Sequence, residues 1–123
     1  MFNVIIIEDE ALAANRLEML IKRCDKNFNI ISKLASIKAT IQWFGEHPAP
    51  DLIFMDIHLE DGLSFAILEQ IPITVPIILT TAFDDEFVKS FKTSYFDYLL
   101  KPINKEDLAL VLEKFKRLQA SAG

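Results

Sequence analysis

The chain has 123 residues, of which 51% are apolar and 25% charged, with only three glycines and five prolines. That is enough apolar material for one domain with a real core, and it excludes a disordered segment, a collagen-like repeat and a disulfide-stapled miniprotein. The net charge of −5 argues against the chain holding nucleic acid by itself, and a lone cysteine, Cys24, forbids an intrachain disulfide and fits a reducing compartment.

In chain order, short β-branched runs alternate with helix-like segments. Val4 to Ile7 is almost purely apolar, as a strand buried on both faces should be. Ala11 to Cys24 follows with Ala13, Leu17, Leu20, Ile21 and Cys24 along one helical face. Phe28 to Leu34 forms a second strand, and Ser36 caps a helix that reaches about Phe44, where Gly45 and the Pro48/Pro50 pair break it. Leu52 to Met55 is a third apolar run, and Leu63 to Gln70 a short helix stopped before Pro72. Ile77 to Leu79 is the fourth run, Asp84 to Phe91 a helix with acids in its first turn, and Phe96 to Leu100 the fifth strand. The last helix is the clearest: Asn104 caps it, Asp107 sits three residues on, and Leu108, Val111, Leu112, Phe115 and Leu118 recur at helical spacing. Five strands alternating with five helices indicate an α/β fold, a parallel sheet covered on both faces.

No apolar run approaches the roughly 20 residues that cross a bilayer. The start, Met1-Phe2-Asn3, lacks the basic flank and apolar core of a signal peptide, so the expectation is a cytoplasmic protein with no membrane partner.

In open parallel sheets, ligands bind beyond the carboxyl ends of the strands. The first run ends in Glu8-Asp9-Glu10, the third in Asp56, the fourth in Thr80-Thr81 and the fifth in Lys101-Pro102. One edge of the sheet therefore gathers several carboxylates, a hydroxyl and an ammonium. Carboxylates so close repel one another unless a cation joins them. Oxygen ligands without a His/Cys cluster point to Mg²⁺, which can bind a phosphoryl oxygen while a neighbouring carboxylate acts as nucleophile. Lys101 would neutralise the remaining charge and a threonine would donate a hydrogen bond.

Each residue alone has a plainer explanation. Glu10 reads first as a helix N-cap, and Asp9 alone would too. His58 is a loop residue offering its backbone carbonyl, His47 a surface loop residue, Cys24 an inert buried thiol, and Asp61-Gly62 a turn. Trp43 and most of the ten phenylalanines read as core. Four strand ends converging on one chemistry is what coincidence does not supply.

These motifs, Val4 to Glu10, Met55 to Leu59 with Asp61-Gly62, Ile78 to Ala82, and Asp97 to Pro102, stand in the order found in receiver domains of two-component response regulators, which the chain resembles over essentially its whole length. The resemblance implies a doubly wound, flavodoxin-like (CheY-like) sheet in the order 2-1-3-4-5. It implies that Asp56 is the phosphoacceptor, and that Glu8, Asp9, Asp56 and the carbonyl of His58 hold Mg²⁺. Glu8 stands where the family more often has Asp, and its longer side chain still reaches the metal. Thr81 matches the switch hydroxyl, with Thr80 facing the other way. Tyr98 matches the aromatic switch residue and Lys101 the family's lysine, with a cis peptide before Pro102.

The implied partners are a sensor histidine kinase and, on phosphorylation, a second copy through an output surface that includes Phe87, Phe91 and Lys92. Residues 1–119 would form the receiver, and 120–123 a frayed tail or the start of a linker. The sequence style further resembles regulators with a LytTR-type DNA-binding domain, so contact with DNA would run through an output domain absent from this chain. The domain would promote its own phosphorylation and dephosphorylation without being an enzyme in the usual sense. A stand-alone receiver or phosphorelay intermediate and a degenerate interaction module are the alternatives. A flavin site is disfavoured because Glu8-Asp9-Glu10 would repel a phosphate where such a site needs a Gly/Ser/Thr-rich loop.

Overall fold

The computed structural model describes residues 1–82 and 97–122. Within them the elements run β1 (Phe2–Ile7), α1 (Ala11–Cys24), β2 (Phe28–Leu34), α2 (Ile37–Glu46), β3 (Leu52–Asp56), β4 (His58–Leu59), β5 (Gly62–Leu63), α3 (Phe65–Gln70), β6 (Ile77–Thr81), β7 (Asp97–Leu100) and α4 (Lys105–Ala122). The main sheet has the order β2-β1-β3-β6-β7 with every neighbouring pair parallel, the expected 2-1-3-4-5 arrangement. Four helices lie among the described residues; the one expected over Asp84–Phe91 lies outside them, as do Phe87, Phe91 and Lys92. No helix among the described residues is long and apolar enough to cross a membrane.

Strand alternation divides the core in two. Val4 and Ile6 of β1, Leu52 and Phe54 of β3, and Ile78 of β6 join one apolar cluster with Leu17 and Ile21 of α1 and Leu108, Leu112 and Phe115 of α4. Ile5, Ile7, Ile53, Met55, Ile77 and Leu79 join the other with Ile37 of α2 and Ile67 of α3. Adjacent residues on a strand point to opposite faces, which is why these strands are apolar at every position. Carrying the parity forward, Glu8 follows Ile6, Asp56 follows Phe54, Thr80 follows Ile78 and Lys101 follows Leu99. All four continue the α1/α4 face to the sheet's carboxyl edge.

Several boundaries differ from the expectation for local physical reasons. Strand β1 starts at Phe2, whose ring packs on Phe28 and Phe115 at 5.3 and 5.1 Å between centroids. Helix α2 runs through Gly45 to Glu46. A helical glycine costs only about 1 kcal/mol, whereas His47 precedes Pro48 and is extended (φ −135°, ψ 154°), so the proline and not the glycine ends the helix. Leu63 is not in α3: Gly62 and Leu63 pair antiparallel with Leu59 and His58 as a small hairpin, and α3 begins at Phe65. Strand β6 extends two residues past Leu79 to Thr81, and α4 continues through Ala122. On α1 the buried residues are Ala14, Leu17 and Ile21, with Ala13, Leu20 and Cys24 half-buried. Leu118, expected on the buried stripe of α4, is 41% exposed because the sheet ends before that turn of the helix.

The two capping expectations on α2 and α4 hold. Ser36 accepts the Ala39 N–H (3.0 Å), and Asn104 and Asp107 form a reciprocal cap, with Asp107 N–H donating to Asn104 Oδ1 (2.8 Å). Glu10 does not behave as expected: it occupies the N-cap of α1, but its side chain makes no capping bond. The neighbouring Glu8 carboxylate takes the Glu10 N–H instead, at 3.2 Å, because Glu8 is turned inward at the strand end while Glu10 faces solvent.

Candidate functional site

The carboxyl edge of the sheet brings together most of the residues expected there. Glu8 and Asp56 are each 6% exposed at the ends of β1 and β3, adjacent strands in register. Lys101, directly after β7, reaches both: its Nζ lies 2.5 Å from Glu8 Oε1 and 3.0 Å from Asp56 Oδ2. The Lys101 N–H donates to the carbonyl of Thr81 (2.7 Å), so the end of β6 fixes where the lysine leaves the sheet. The peptide between Lys101 and Pro102 is cis, in keeping with the resemblance. Asp9 is half-buried beside Glu8.

Oxygen atoms of Glu8, Asp9 and Asp56 all lie within 4.8 Å of one another. Three carboxylates thus face one ammonium, and the consequences show in their proton affinities. Asp9 is raised above the ordinary carboxylate range, first by burial and then by a hydrogen bond with the Glu8 carboxyl and its charge, with Lys101 opposing. For Lys101, burial disfavours the ammonium, but the hydrogen bond to Glu8 and the field of Asp56 more than offset it, so its pKa lies above the usual lysine value. A cavity of about 270 Å³ lies beside Lys101, walled by Ile6, Arg16, Leu17, Phe54 and Ile103.

A hexacoordinate Mg²⁺ with oxygens at about 2.0–2.1 Å separates its ligands by roughly 2.9 Å for neighbours and 4.2 Å across the ion. One oxygen from each of the three carboxylates lies within 4.8 Å of the others, slightly wider than that span, and the donors are all oxygen, so a small adjustment would let the residues hold such an ion. The backbone of His58 stands two residues past Asp56, at the start of the β4–β5 hairpin, and its N–H approaches Asp56 Oδ1 at 3.4 Å.

The threonines divide. Thr80 is in register with Asp56 on the adjoining strand and lines the cavity beside Glu8 and Lys101; Thr81 is fully buried. Being adjacent on β6, the two face opposite sides of the sheet. Tyr98 lies in mid-strand opposite Leu79 and is 37% exposed, away from the carboxylates. His47 is exposed at the end of α2, stacked on Trp43 at 4.6 Å, and Trp43 is only half-buried. Cys24 is half-buried and its thiol pKa is pushed up by burial, the condition of an unreactive cysteine.

One residue near the site was legible only as a turn. Asp61 accepts the N–H groups of Ile37 (2.9 Å) and Lys38 (3.2 Å), which open α2 twenty-four and twenty-three residues away. The Ile37 bond above all holds its carboxyl below the usual range. An Asp-Gly pair predicts a turn locally, but nothing near it in the sequence names the helix it would cap.

The comparisons with known proteins agree with this geometry. The family model described as response regulator receiver domain matches residues 4–113. The chain is 30% identical over 124 residues to the sensory transduction protein LytT of Bacillus anthracis, covering 98% of this chain and 50% of that protein. It is 33% identical over 118 residues to the positive alginate biosynthesis regulatory protein of Pseudomonas aeruginosa, covering 94% and 47%. The chain thus spans about half the length of these curated relatives. Among solved structures, the response regulatory domain of mrkE from Klebsiella pneumoniae superposes with a TM-score of 0.81 at 27% identity, over 97% of this chain and 98% of that one. A CheY-like receiver domain from Methylobacillus flagellatus, 20% identical, superposes at 0.77 over 94% and 98%, a likeness of fold alone. The doubly wound sheet, the acidic cluster at its carboxyl edge and the family match over residues 4–113 converge on one conclusion: the chain belongs to the response regulator receiver domains of two-component systems and is related to the LytT-type regulators.

Proposed function

We propose that the domain is a phosphorylation switch in which Asp56 accepts a phosphoryl group from the phosphohistidine of a sensor histidine kinase. The observation that carries this reading is the cluster itself: Glu8, Asp9 and Asp56 within 4.8 Å of one another, with Lys101 bridging two of them. Glu8, Asp9 and Asp56, with the carbonyl of His58, would hold Mg²⁺, which when bound neutralises phosphoryl oxygens. An Asp56 oxygen attacks phosphorus as the P–N bond breaks, and the departing imidazole keeps its electron pair and takes up a proton. Lys101 then exchanges part of its contact with Asp56 for a phosphoryl oxygen, and a buried hydroxyl at the end of β6 donates to another. Thr81 is our choice for that hydroxyl and for the switch, with Tyr98 repacking in response; Thr80, nearer the lysine's cavity, is the competitor.

The added dianion biases a two-state equilibrium of the face formed around β7 and α4, the output surface that would include Phe87, Phe91 and Lys92 and pair two copies. The names of the relatives and the half-length match support a role in a transcriptional regulator of LytTR type, which would act in the cytoplasm and contact DNA through an output domain outside the matching half. The domain would catalyse only its own modification.

Intact mass after incubation with Mg²⁺ and acetyl phosphate tests the core of this. One phosphoryl group gained by the wild type, and none with EDTA or in Asp56→Asn, is the expected result. Gain by Asp56→Asn at the wild-type rate would overturn the choice of nucleophile.

A further inference from the structure

Helix α2 has two caps of different origin. Ser36, directly before the helix, accepts the Ala39 N–H at 3.0 Å, as a local N-cap does. The preceding two donors, Ile37 and Lys38, go to the two oxygens of Asp61. Lys38 is exposed, so water could satisfy its N–H without a residue so distant. What the contact changes is the other partner. Asp61 sits at the tip of the β4–β5 hairpin, which leaves β3 directly after Asp56 and has His58 at its first position. Gly62, at φ +139°, completes the turn, and a Cβ there would come within 3.2 Å of Ile37 Cδ1. The hairpin therefore lies directly on the first turn of α2. That turn is itself fixed, because Ile37 and Thr40 are buried, Ile37 in the α2/α3 core.

We propose that Asp61 is a positioning residue: by strapping the hairpin tip to the N-terminus of α2, it holds the backbone of Ile57 and His58 where the metal and phosphoryl chemistry at Asp56 requires it. The inference rests on the proposed function, and it adds a residue that touches none of the reacting groups. The strap acts through the backbone. The hairpin is anchored at its root by Ile57 N–H to Thr80 O (3.1 Å) and Ser64 N–H to Ile57 O (2.9 Å), and at its tip by Asp61. Ile57 and Leu59 hold the first strand of the hairpin in the apolar core, and Asp61 adds the hold at its tip.

The test compares three variants by Mg²⁺ titration calorimetry and by phosphoryl incorporation from acetyl phosphate. Residues that orient metal ligands typically change affinity 10–100-fold when lost, so Asp61→Ala should weaken Mg²⁺ binding about tenfold. It should slow incorporation most at low Mg²⁺. Asp61→Asn keeps an acceptor oxygen for one of the two N–H groups and should recover most of both. Ser36→Ala removes the other cap of the same helix and should lower thermal stability while binding Mg²⁺ as the wild type does. Circular dichroism establishes that each is folded; should Asp61→Ala fail to fold, Asp61→Ser against Ser36→Ala carries the comparison. Wild-type Mg²⁺ affinity in a folded Asp61→Ala, or equal losses in Ser36→Ala, would overturn the positioning role alone. A wild-type chain that takes neither Mg²⁺ nor a phosphoryl group would overturn the functional reading and the positioning role with it.

Discussion

Two sets of ion pairs in this molecule have nearly the same lengths and opposite meanings. On the flank, Lys33 meets Glu18 at 2.6 Å and Lys116 meets Asp25 at 2.7 Å, tying α1 to β2 and α4 to the end of α1. At the carboxyl edge of the sheet, Lys101 meets Glu8 at 2.5 Å and Asp56 at 3.0 Å. The acid side chains on the flank are 21% and 17% exposed and their lysines 38% and 35%, whereas at the edge the acid side chains are 5% and 9% exposed and the lysine 24%. Water screens the first set, so each pair is worth about 0–1 kcal/mol. The acids of the second set are buried, so removing the ammonium leaves them without a partner. The flank is also balanced, one or two cations to each acid, while the edge holds three carboxylates against one ammonium. Distance alone does not separate a solvated pair from a buried cluster with an excess of carboxylates.

Lys101→Ala would break the comparison most severely. It leaves the Glu8 and Asp56 carboxylates buried without their ammonium, and the expected loss is about 3 kcal/mol of folding stability at neutral pH. Added Mg²⁺ should restore a large part of that in thermal denaturation, whereas no metal dependence should accompany any flank variant. Recovery by NaCl as well as by Mg²⁺ would show the edge to be no more than a screened surface pair.

Acid sharpens the contrast, because Asp9 and Glu18 are shifted in opposite directions. Asp9, raised, binds its proton more tightly in the folded chain. It therefore favours folding at low pH, and that contribution is lost as pH rises from the unfolded carboxylate value of 3.8 through the raised folded one. Mg²⁺ needs the unprotonated form, so its affinity should fall as pH drops through the raised Asp9 value. Calorimetric titrations across that range in wild type and Asp9→Asn should differ in slope; parallel curves would remove Asp9 from the ligand set. Glu18, lowered first by its hydrogen bond to Lys33, contributes stability that is present above 4.5 and lost as pH falls through its lower folded value.

The smallest effect belongs to Glu18→Gln. Urea denaturation at pH 7 should show a loss of at most about 0.5 kcal/mol, vanishing at high salt. A loss near that of Lys101→Ala would erase the distinction between flank and edge.

Much of this could be read from the residues. Alternating apolar runs and helical spacings gave five strands and the helices around them, since a buried parallel strand must be apolar on both faces and a surface helix on only one. The site was legible because its parts end strands: once Glu8, Asp56 and Lys101 are known to follow apolar runs, a parallel sheet brings them to one edge. Caps at Ser36 and Asn104 were legible because donor and acceptor lie within three residues. Glu10 misled for the same reason, since its position invited a side-chain cap that it does not make.

The sequence by itself determined the fold class, the strand order through family likeness, and which side chains crowd the carboxyl edge, because each follows from local periodicity repeated in order. Tertiary structure alone decided that Thr80 shares a cavity with Lys101, that Leu118 lies beyond the reach of the sheet, and that Lys101 is paired with both Glu8 and Asp56. It alone decided that Asp61 closes the end of a helix twenty-four residues away. Such contacts depend on the positions of whole elements in space, and a side chain carries no local mark of the partner that folding brings to it.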